Sequence, residues 1–462
     1  MMNPKLFGAY GRGVIVIGCG SHYFSKYHSV LEQDGHRLRL AVDLETERST
    51  VIANFAKHSL QPEHLIFLPE PLRDVRSEAT LVEFLDEIIT QIQAEVALIC
   101  TEPKSHRACA AWAMDRGLDV FMDKPVSAVA LPARSGILLE DYNYLVEKSI
   151  SLGRSLCISC ERRAHPGYAL IKEEISYAIE QHNIPVTSIH VIFGGGKWLY
   201  PDEYLYLENH PFQYGYGVLF HSGYHYVDVI ASIAEMNTPL VELDLARPEV
   251  HIMTTRPSDT ILLASIPVRR NSALNTTVMV NNPVQWMNAR RYGEVDLGFI
   301  GRYLSPHGHG LLFSGQLLET TVAARIIDKE KAGNGRVRSE QLLINLGHYC
   351  SISLRASSYR KLANPSDPED FELVIGKHPS YRGGGVQRFS REDLSYIEPN
   401  LPLGAASNGW ARVHLLRSFL AKDNSYSDVL SHQASMQLLS RLADKLSEDI
   451  EKRTQLMSGN QE

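Results

Sequence analysis

Apolar and polar positions alternate in blocks along the first third of the chain. Five short apolar runs, each typical of a β-strand, are separated by stretches in which apolar residues recur at helical spacing. The runs read GVIVI, RLRLAV, HLIFL, EVALI and LDVFM, in that order. Short apolar strands that alternate with helices predict a parallel sheet covered by helices on both faces. We therefore predict an α/β domain of the Rossmann type over residues 1–160.

The pattern changes after about residue 160. One helical stretch, residues 166–181, is followed by separate strand-like runs with few helices between them, among them TSIHVIFGG, EVHIMTT and SISLRASS. Consecutive strands without crossover helices indicate antiparallel pairing. We predict a second, α+β domain over residues 161–426, built on an open, mostly antiparallel sheet.

Length and charge narrow the class of protein. A chain of 462 residues favours two to three domains. The formal net charge of −7 argues against a nucleic-acid partner, which normally requires a basic face. No run approaches the roughly 20 apolar residues of a membrane helix, and the N-terminus lacks the build of a signal peptide. These features predict a cytoplasmic protein without a membrane partner.

The six cysteines are too widely spread for a disulfide scaffold. Cys157 and Cys160 form a Cys-x-x-Cys pair, but this pair stands alone and falls inside a strand-like run. A structural zinc site needs a second pair of ligands. We interpret the two cysteines as buried thiols in preference to a redox or metal site.

Candidate cofactor residues follow the predicted strands at their carboxyl ends, where open parallel sheets bind ligands. A turn of Gly18, Cys19 and Gly20 follows the first strand and leads into a helix, an arrangement that presents backbone N–H groups to a pyrophosphate. Asp43 ends the second strand, 25 positions after Gly18, where an acid accepts the ribose hydroxyls of an adenosine. An acid there repels a 2′-phosphate, so NAD is favoured, while the nearby Arg48 keeps NADP possible.

One position departs from the usual Gly-x-Gly-x-x-Gly pattern. The third small residue would stand at position 23, where the chain has Tyr23. We predict a turn longer by about two residues, in which Ser21 or Ser25 takes the close-packed position.

Five motifs in order resemble those of the Gfo/Idh/MocA oxidoreductases, the family of glucose–fructose oxidoreductase and inositol dehydrogenases. They are Thr101-x-Pro103 with His106, then Asp123-Lys124-Pro125, then Arg163 with Pro166, then His221-x-Gly223-x-His225-x-x-Asp228, and finally the helical stretch 427–453. The resemblance implies that this last helix packs back on the first domain. It also implies a homodimer or homotetramer. The cofactor-binding residues that it implies, together with the Gly-rich turn, are Gly18, Gly20, Ser21, His22, Asp43, Thr101, Glu102, Pro103, His106, Asp123 and Lys124.

The resemblance also assigns the chemistry of hydride transfer. Oxidation of a secondary alcohol needs a base for the hydroxyl proton, and histidine titrates closest to neutral pH. The resemblance implies that His225 is that base. It also implies that Lys124 holds the substrate hydroxyl and stabilises the alkoxide. The family has Asp where this chain has His221, and a neutral imidazole does not stabilise a neighbouring imidazolium as a carboxylate does. We therefore predict that His221 and His225 titrate as a coupled pair.

Other interpretations of the two histidines remain open at this point. On a helix, His221, His225 and Asp228 stand at i, i+4 and i+7, which is a spacing that metal ligands use. The chain lacks the glutamate of the His-Glu-x-x-His motif, so acid–base work is favoured over a metal site or buried structural histidines, and no metal is predicted. Asp228 either orients His225 or supports the helix.

The stretch 197–217 is rich in aromatic residues beside polar ones, which suits the apolar faces and hydroxyls of a sugar or cyclitol ring. An interface or lid that buries tyrosines is the alternative. Arg163, Trp198, Tyr214 and Asp228 are the predicted substrate-binding residues.

These observations predict an NAD(P)-dependent oxidoreductase that interconverts a secondary hydroxyl and a ketone on a sugar, amino-sugar or cyclitol. Two alternatives stay open. One is an NAD-dependent glycosidase of the same superfamily, and the other is a non-catalytic dinucleotide-sensing protein.

Overall fold

The computed structural model describes residues 11–196, 212–259, 289, 291–308, 310–320, 337–359, 370–381, 383–397 and 408–458. The chain divides into two compact units. Unit 1 comprises residues 1–128, 137–168 and 408–436, and unit 2 comprises residues 129–136, 169–407 and 437–462. The units interleave along the chain, and the simpler division at residues 160 and 426 stays a prediction.

The strands fall into two sheets. The strands of unit 1 are β1 Gly13–Ile17, β2 Arg37–Leu44, β3 His64–Leu68, β4 Val96–Ile99, β5 Asp119–Asp123 and β6 Leu156–Ser159. The strands of unit 2 are β7 Ser188–Gly194, β8 Glu249–Thr255, β9 Asp296–Leu304, β10 Gly310–Leu318, β11 Ser339–Leu346, β12 Cys350–Ser357, β13 Asp370–Lys377 and β14 Gly385–Ser390.

Helices connect and cover these strands. The α-helices are α1 Ser21–Tyr23, α2 Ser29–Gln33, α3 Arg48–Phe55, α4 Glu78–Ile89, α5 His106–Asp115, α6 Ile137–Leu152, α7 Pro166–His182, α8 Tyr224–Glu235, α9 Arg391–Ile397, α10 Asn408–Leu420 and α11 Gln433–Ser458. Two π-helical turns, Phe24–His28 and Leu219–Gly223, lie directly before α2 and α8. Short 3-10 turns are Glu45–Glu47, Glu70–Asp74, Pro103–Ser105, Glu161–Ala164, Phe212–Tyr214 and Val429–His432.

The sheet of unit 1 is parallel and has the strand order β3-β2-β1-β4-β5-β6. Every residue of β1, β4 and β6 is buried, which is why these strands read as continuous apolar runs in the sequence. The order reverses between β1 and β4, so the carboxyl ends of these two strands flank the crevice where such sheets bind dinucleotides. The predicted Rossmann architecture is confirmed.

The sheet of unit 2 has the order β14-β13-β12-β11-β7-β10-β9-β8. Among the described strands of this sheet, only β7 and β10 pair in parallel. Buried and exposed positions alternate along β9 and β10, so one face of the sheet lies in the core. Helix α8 packs against β7 and β10. The predicted mostly antiparallel sheet is confirmed.

Several apolar side chains on the opposite face of this sheet are exposed. Met253, Ile300 and Leu312 are 79%, 58% and 53% exposed, and their strand registers place them on one face. The predicted homo-oligomer stays a prediction. None of the helices in the described part of the chain combines the length and apolar character needed to span a lipid bilayer.

Two buried tyrosines of unit 2 give a matched test of core polarity. Tyr303 is fully buried, and its hydroxyl has no hydrogen-bond partner among the described residues. Tyr349 is equally buried, but its hydroxyl donates to Glu174 Oε1 at 2.9 Å.

We expect Tyr303→Phe to raise stability by about 1 kcal/mol, because it removes a buried hydroxyl without a partner. Tyr349→Phe should lower stability by a similar amount, because it leaves Glu174 with one donor fewer. Thermal melting measures both variants, and opposite shifts in Tm of about 2–4 °C are expected. Equal shifts of the same sign would contradict this account of Tyr303.

Candidate functional site

The glycine turn after β1 is held by close backbone approach. Gly18 has φ of +90°, and a Cβ there would lie 2.7 Å from the backbone carbonyl carbon of Cys100. Only glycine meets both demands without strain. A Cβ on Gly20 would meet nothing within 4 Å, so this glycine borders open space. Gly18 therefore serves the fold, whereas the space beside Gly20 is open, as the predicted phosphate site requires.

Asp43 holds the same turn in place. Its carboxylate accepts hydrogen bonds from the backbone N–H of Cys19 at 2.6 Å and from its neighbour Leu44 at 2.7 Å. Burial raises the pKa of Asp43, although these N–H groups favour the ionised form. The structure thus places the predicted ribose-binding acid beside the middle residue of the predicted phosphate loop.

The structure corrects the prediction of a longer turn. The helical stretch begins at Ser21, directly after Gly20, and Ser21 and Ser25 are both exposed. Tyr23 itself takes the buried position in the core of unit 1. The chain forms a π-helical turn at Phe24–His28, directly after Tyr23. The large side chain is accommodated in the core, next to a local change of helical pitch, with no inserted residues.

His106 joins two of the predicted cofactor turns. It is fully buried, and its Nδ1 lies 2.7 Å from the carbonyl oxygen of Pro125 while its Nε2 lies 3.0 Å from that of Thr101. Burial lowers the pKa of His106. Within the first of these turns, the Thr101 hydroxyl also accepts a hydrogen bond from Ser105 Oγ at 2.8 Å. The contacts of His106 fix the backbone of both turns.

Asp123 lies at the end of β5 and contacts the helical stretch after the glycine turn. Its Oδ2 is 3.1 Å from His22 Nε2, and its Oδ1 accepts a hydrogen bond from Tyr27 at 2.9 Å. Burial alone would raise the pKa of Asp123, but His22, Lys124 and Tyr27 together hold it well below its usual range. Asp123 is therefore a carboxylate at neutral pH and fixes His22 next to the glycine turn.

Lys124 follows Asp123 and is half-buried. Burial lowers the pKa of Lys124, and the charges of Glu161 and Asp123 oppose this shift. Glu161 is buried after β6 and accepts a hydrogen bond from Arg412 of α10 at 2.9 Å. Glu161 and Arg412 were not predicted from the sequence, because Arg412 is 251 positions from its partner. The motif Cys-Glu-Arg-Arg gave the only local signal for Glu161.

Arg163, a predicted substrate-binding residue, lies in the 3-10 turn Glu161–Ala164 and contacts the segment before α11. Its guanidinium donates to Ser431 Oγ at 2.6 Å and to the Ser431 carbonyl oxygen at 3.0 Å. Cys157 and Cys160, the isolated pair, are both buried thiols and are not linked by a disulfide. Burial raises the pKa of the Cys157 thiol, in keeping with an unreactive core position.

In unit 2, the segment with the two predicted histidines is helical throughout. The π-helical turn contains His221, and α8 contains His225 and Asp228. All three side chains are buried. The ring of His221 meets Phe212 and Tyr216 edge-on, with centroids 5.2 and 5.4 Å apart.

Glu294 positions the start of this helical segment. It is fully buried, its Oε1 accepts from the Leu219 N–H at 2.8 Å, and its carbonyl oxygen accepts from Val218 at 2.9 Å. The backbones meet closely here, since a Cβ on Gly217 would lie 1.9 Å from the Glu294 carbonyl oxygen. Burial raises the pKa of Glu294. Nothing in the local sequence around Glu294 indicates this role.

The remaining predicted substrate residues are only partly covered. Tyr214 is half-buried at the end of a short 3-10 turn, with its ring 6.4 Å from that of Tyr216. Trp198 and the rest of residues 197–211 in the aromatic stretch lie outside the described residues. Three further strand-like runs of the sequence, TILLASIPVRR, NTTVMVN and TTVAARII, fall mainly outside the described residues as well.

The two glycines of the turn give a paired test. Gly18→Ala should lower stability by about 2 kcal/mol, since alanine is strained at this φ and its Cβ meets the Cys100 backbone. Gly20→Ala should leave Tm unchanged but weaken NADH binding at least tenfold, because its Cβ fills space at the predicted pyrophosphate site. Melting curves and NADH fluorescence titrations check both. Unaltered NADH affinity in Gly20→Ala would move the cofactor away from this turn.

Comparison with known proteins agrees with this geometry. Residues 12–136 match the GFO_IDH_MocA family model, described as an oxidoreductase family with an NAD-binding Rossmann fold. No curated protein matches the chain. Among solved structures, UDP-N-acetylglucosamine 3-dehydrogenase GnnA from Acidithiobacillus ferrooxidans is 12% identical, with a TM-score of 0.53 over 95% of this chain and 97% of that one.

Two further structures share the fold. A levoglucosan dehydrogenase in complex with NADH is 14% identical, with a TM-score of 0.54 over 96% of this chain and 97% of that one. An oxidoreductase from Agrobacterium radiobacter, in complex with NAD+, L-tartaric acid and magnesium, is 11% identical, with a TM-score of 0.53 over 93% and 94%. At these identities the likeness establishes the fold alone.

The family match covers β1 to β5 and the turns that carry Gly18, Asp43, His106 and Lys124. Residues 12–136 of this chain match the NAD-binding Rossmann fold of the Gfo/Idh/MocA oxidoreductases, the family that the sequence motifs resemble.

Proposed function

We propose that the protein is an NAD-dependent dehydrogenase that interconverts a secondary hydroxyl and a ketone on a sugar, amino-sugar or cyclitol. The observation that carries this proposal is the placement of Lys124. It follows the carboxyl end of β5, on the edge of the parallel sheet where the strands end, which we call the cofactor edge. The buried carboxylate of Glu161 is among the charges that act on Lys124. A cation held at this edge suits the stabilisation of a developing alkoxide.

The cofactor determines the redox part of the reaction. NAD, when bound, would supply the hydride acceptor for oxidation of the carbinol carbon. Gly20, Asp43 and the turn at Thr101 would hold it, and the open space over Gly20 fits a pyrophosphate close to the backbone. Asp43 favours NAD over NADP, because a carboxylate at this position repels a 2′-phosphate.

Lys124 would act on the substrate oxygen. Its ammonium donates a hydrogen bond to the hydroxyl and stabilises the negative charge that appears when the proton leaves. The charge of Glu161 raises the pKa of Lys124 against the effect of burial, and Arg412 in turn balances the charge of Glu161. In this scheme Glu161 is a positioning residue that acts through Lys124.

His225 would receive the hydroxyl proton, with His221 as its coupled partner. This assignment rests on the family motif and on the burial of both rings in one helical segment. Glu294 would support it by fixing where that segment begins.

The substrate class rests on two lines of support. Aromatic and polar residues are interspersed in the stretch 197–217, and Tyr214 at its end is half-buried. Structures with the same fold include a UDP-N-acetylglucosamine 3-dehydrogenase and a levoglucosan dehydrogenase, both of which act on carbohydrates. Sugars and cyclitols are therefore the compounds to screen first.

Lys124→Met tests the proposal directly. On a sugar or cyclitol that the wild type oxidises with NAD, we expect kcat/KM to fall by roughly 10²–10³-fold, while the NADH Kd changes by no more than about threefold. Lys57→Met is the matched control, because Lys57 is exposed and donates a hydrogen bond only to Asn54 among its described contacts. Steady-state absorbance at the NADH band gives the rates. Full activity in Lys124→Met, or no turnover of any panel compound by the wild type, would overturn the proposal.

The pH profile tests the link between Glu161 and Lys124. The protonated form of Lys124 is the active form in this scheme, so activity should fall as the pH rises through its pKa. Because burial lowers the pKa of Lys124, the midpoint of this alkaline limb should lie below the ordinary lysine value of about 10.4. Glu161 raises the pKa of Lys124, so Glu161→Gln should move this alkaline limb to lower pH, and Glu161→Asp should restore it. Profiles of kcat/KM against pH measure the shift. Superimposable profiles would remove Glu161 from the mechanism.

A further inference from the structure

A second cluster of ligand-type side chains lies in unit 1, apart from the residues assigned above. His28 ends the π-helical turn after Tyr23, Glu32 lies one helical turn further in α2, and His58 follows α3. Each offers one ligand atom, and these atoms all lie within 4.8 Å of one another. Two imidazoles and a carboxylate are a ligand set that proteins use for zinc.

His28 is oriented as a metal ligand would be. It is fully buried, and its Nε2 has no hydrogen-bond partner among the described residues. Its Nδ1 lies 2.9 Å from the Tyr23 hydroxyl. When Nδ1 carries the proton and donates it to Tyr23, Nε2 presents a lone pair into the cluster. Burial and the neighbouring His58 lower the pKa of His28 to about 4, so the ring is neutral at pH 7.

Glu32 is ionised and has one oxygen available. Its Oε1 accepts hydrogen bonds from the backbone N–H groups of Ser59 and Leu60, both at 3.0 Å, and from the Ser59 hydroxyl. These contacts lower the pKa of Glu32, the Ser59 hydroxyl first among them. All the described hydrogen bonds of Glu32 reach Oε1, which leaves Oε2 for a cation.

His58 is the third side chain of the cluster, and its ring lies next to that of His28. Its ring centroid is 4.4 Å from that of His28, and the ring stacks on Phe24 with an interplanar angle of 15° and centroids 5.6 Å apart. A buried imidazole nitrogen without a partner costs stability unless something satisfies it. A cation between the two rings would satisfy Nε2 of His28.

We propose that His28, Glu32 and His58 bind one Zn²⁺ ion, with water as the fourth ligand. Around zinc at about 2.1 Å, ligand atoms stand roughly 3.4 Å apart, so a small side-chain closure from the present spacing completes a tetrahedron. The ion would tie the helical stretch after the glycine turn to the segment that follows α3. Tyr23, which departs from the family pattern, would be the positioning residue that fixes the tautomer of His28.

Zinc binding to the full-length, chelator-treated protein tests the proposal. At a hundredfold excess of ZnCl₂ over its Kd, we expect Tm to rise by on the order of 5 °C, and not with MgCl₂ or CaCl₂, which prefer all-oxygen sites. His58→Gln should abolish this rise and remove one equivalent of zinc measured after equilibrium dialysis. The matched control is His64→Gln, an exposed histidine outside the cluster, which should behave as the wild type.

Cobalt substitution separates this site from the six cysteines. Co²⁺ on nitrogen and oxygen ligands gives visible d–d absorption without a thiolate charge-transfer band, and this absorption should vanish in His58→Gln. Tyr23→Phe keeps the ring and removes the hydroxyl, so it should weaken zinc binding by roughly 10–100-fold without loss of the fold. The proposal is overturned if His58→Gln retains the wild-type zinc stoichiometry and cobalt spectrum, or if the cobalt spectrum shows thiolate ligation.

Discussion

The hydrogen bond from the Cys19 N–H to the Asp43 carboxylate, together with the contact of Gly18 with the Cys100 backbone, joins the ends of three neighbouring strands. These two contacts determine the shape of the glycine turn, and hence the direction in which its N–H groups point. The helix after the turn, the buried Tyr23 and the contacts of His22 with Asp123 all depend on that direction. The cofactor edge is thus built by backbone packing, with few side chains.

Buried charges at this edge are arranged in opposed pairs. Asp123 is stabilised as a carboxylate by His22, Lys124 and Tyr27, and Glu161 is held by Arg412. An isolated buried charge would be neutralised or would destabilise the fold, so each cation here has a carboxylate beside it. The charges of Glu161 and Asp123 likewise oppose the lowering of the pKa of Lys124 by burial.

Local pattern was sufficient for much of unit 1. Its strands are buried on both faces, so they appear in the sequence as continuous apolar runs, and Gly18, Asp43 and Lys124 follow them directly. In unit 2, β9 and β10 alternate buried and exposed residues, and the exposed positions include Ile300 and Leu312. Apolar residues on both faces and glycines within the strands hide the period of two, which is why these strands were not predicted.

The sequence by itself determined the order of strands and helices in the first unit and the candidate residues at the strand ends, because these depend on contacts between near neighbours in the chain. Only the tertiary structure decided which distant residues meet: Arg412 with Glu161, Glu294 with Leu219, and His58 with His28. Such pairs carry no local periodicity, since their spacing is set by how the sheets and helices pack. Tyr23 shows the same limit, because the core around it and the π-helical turn after it decide how a large side chain fits there.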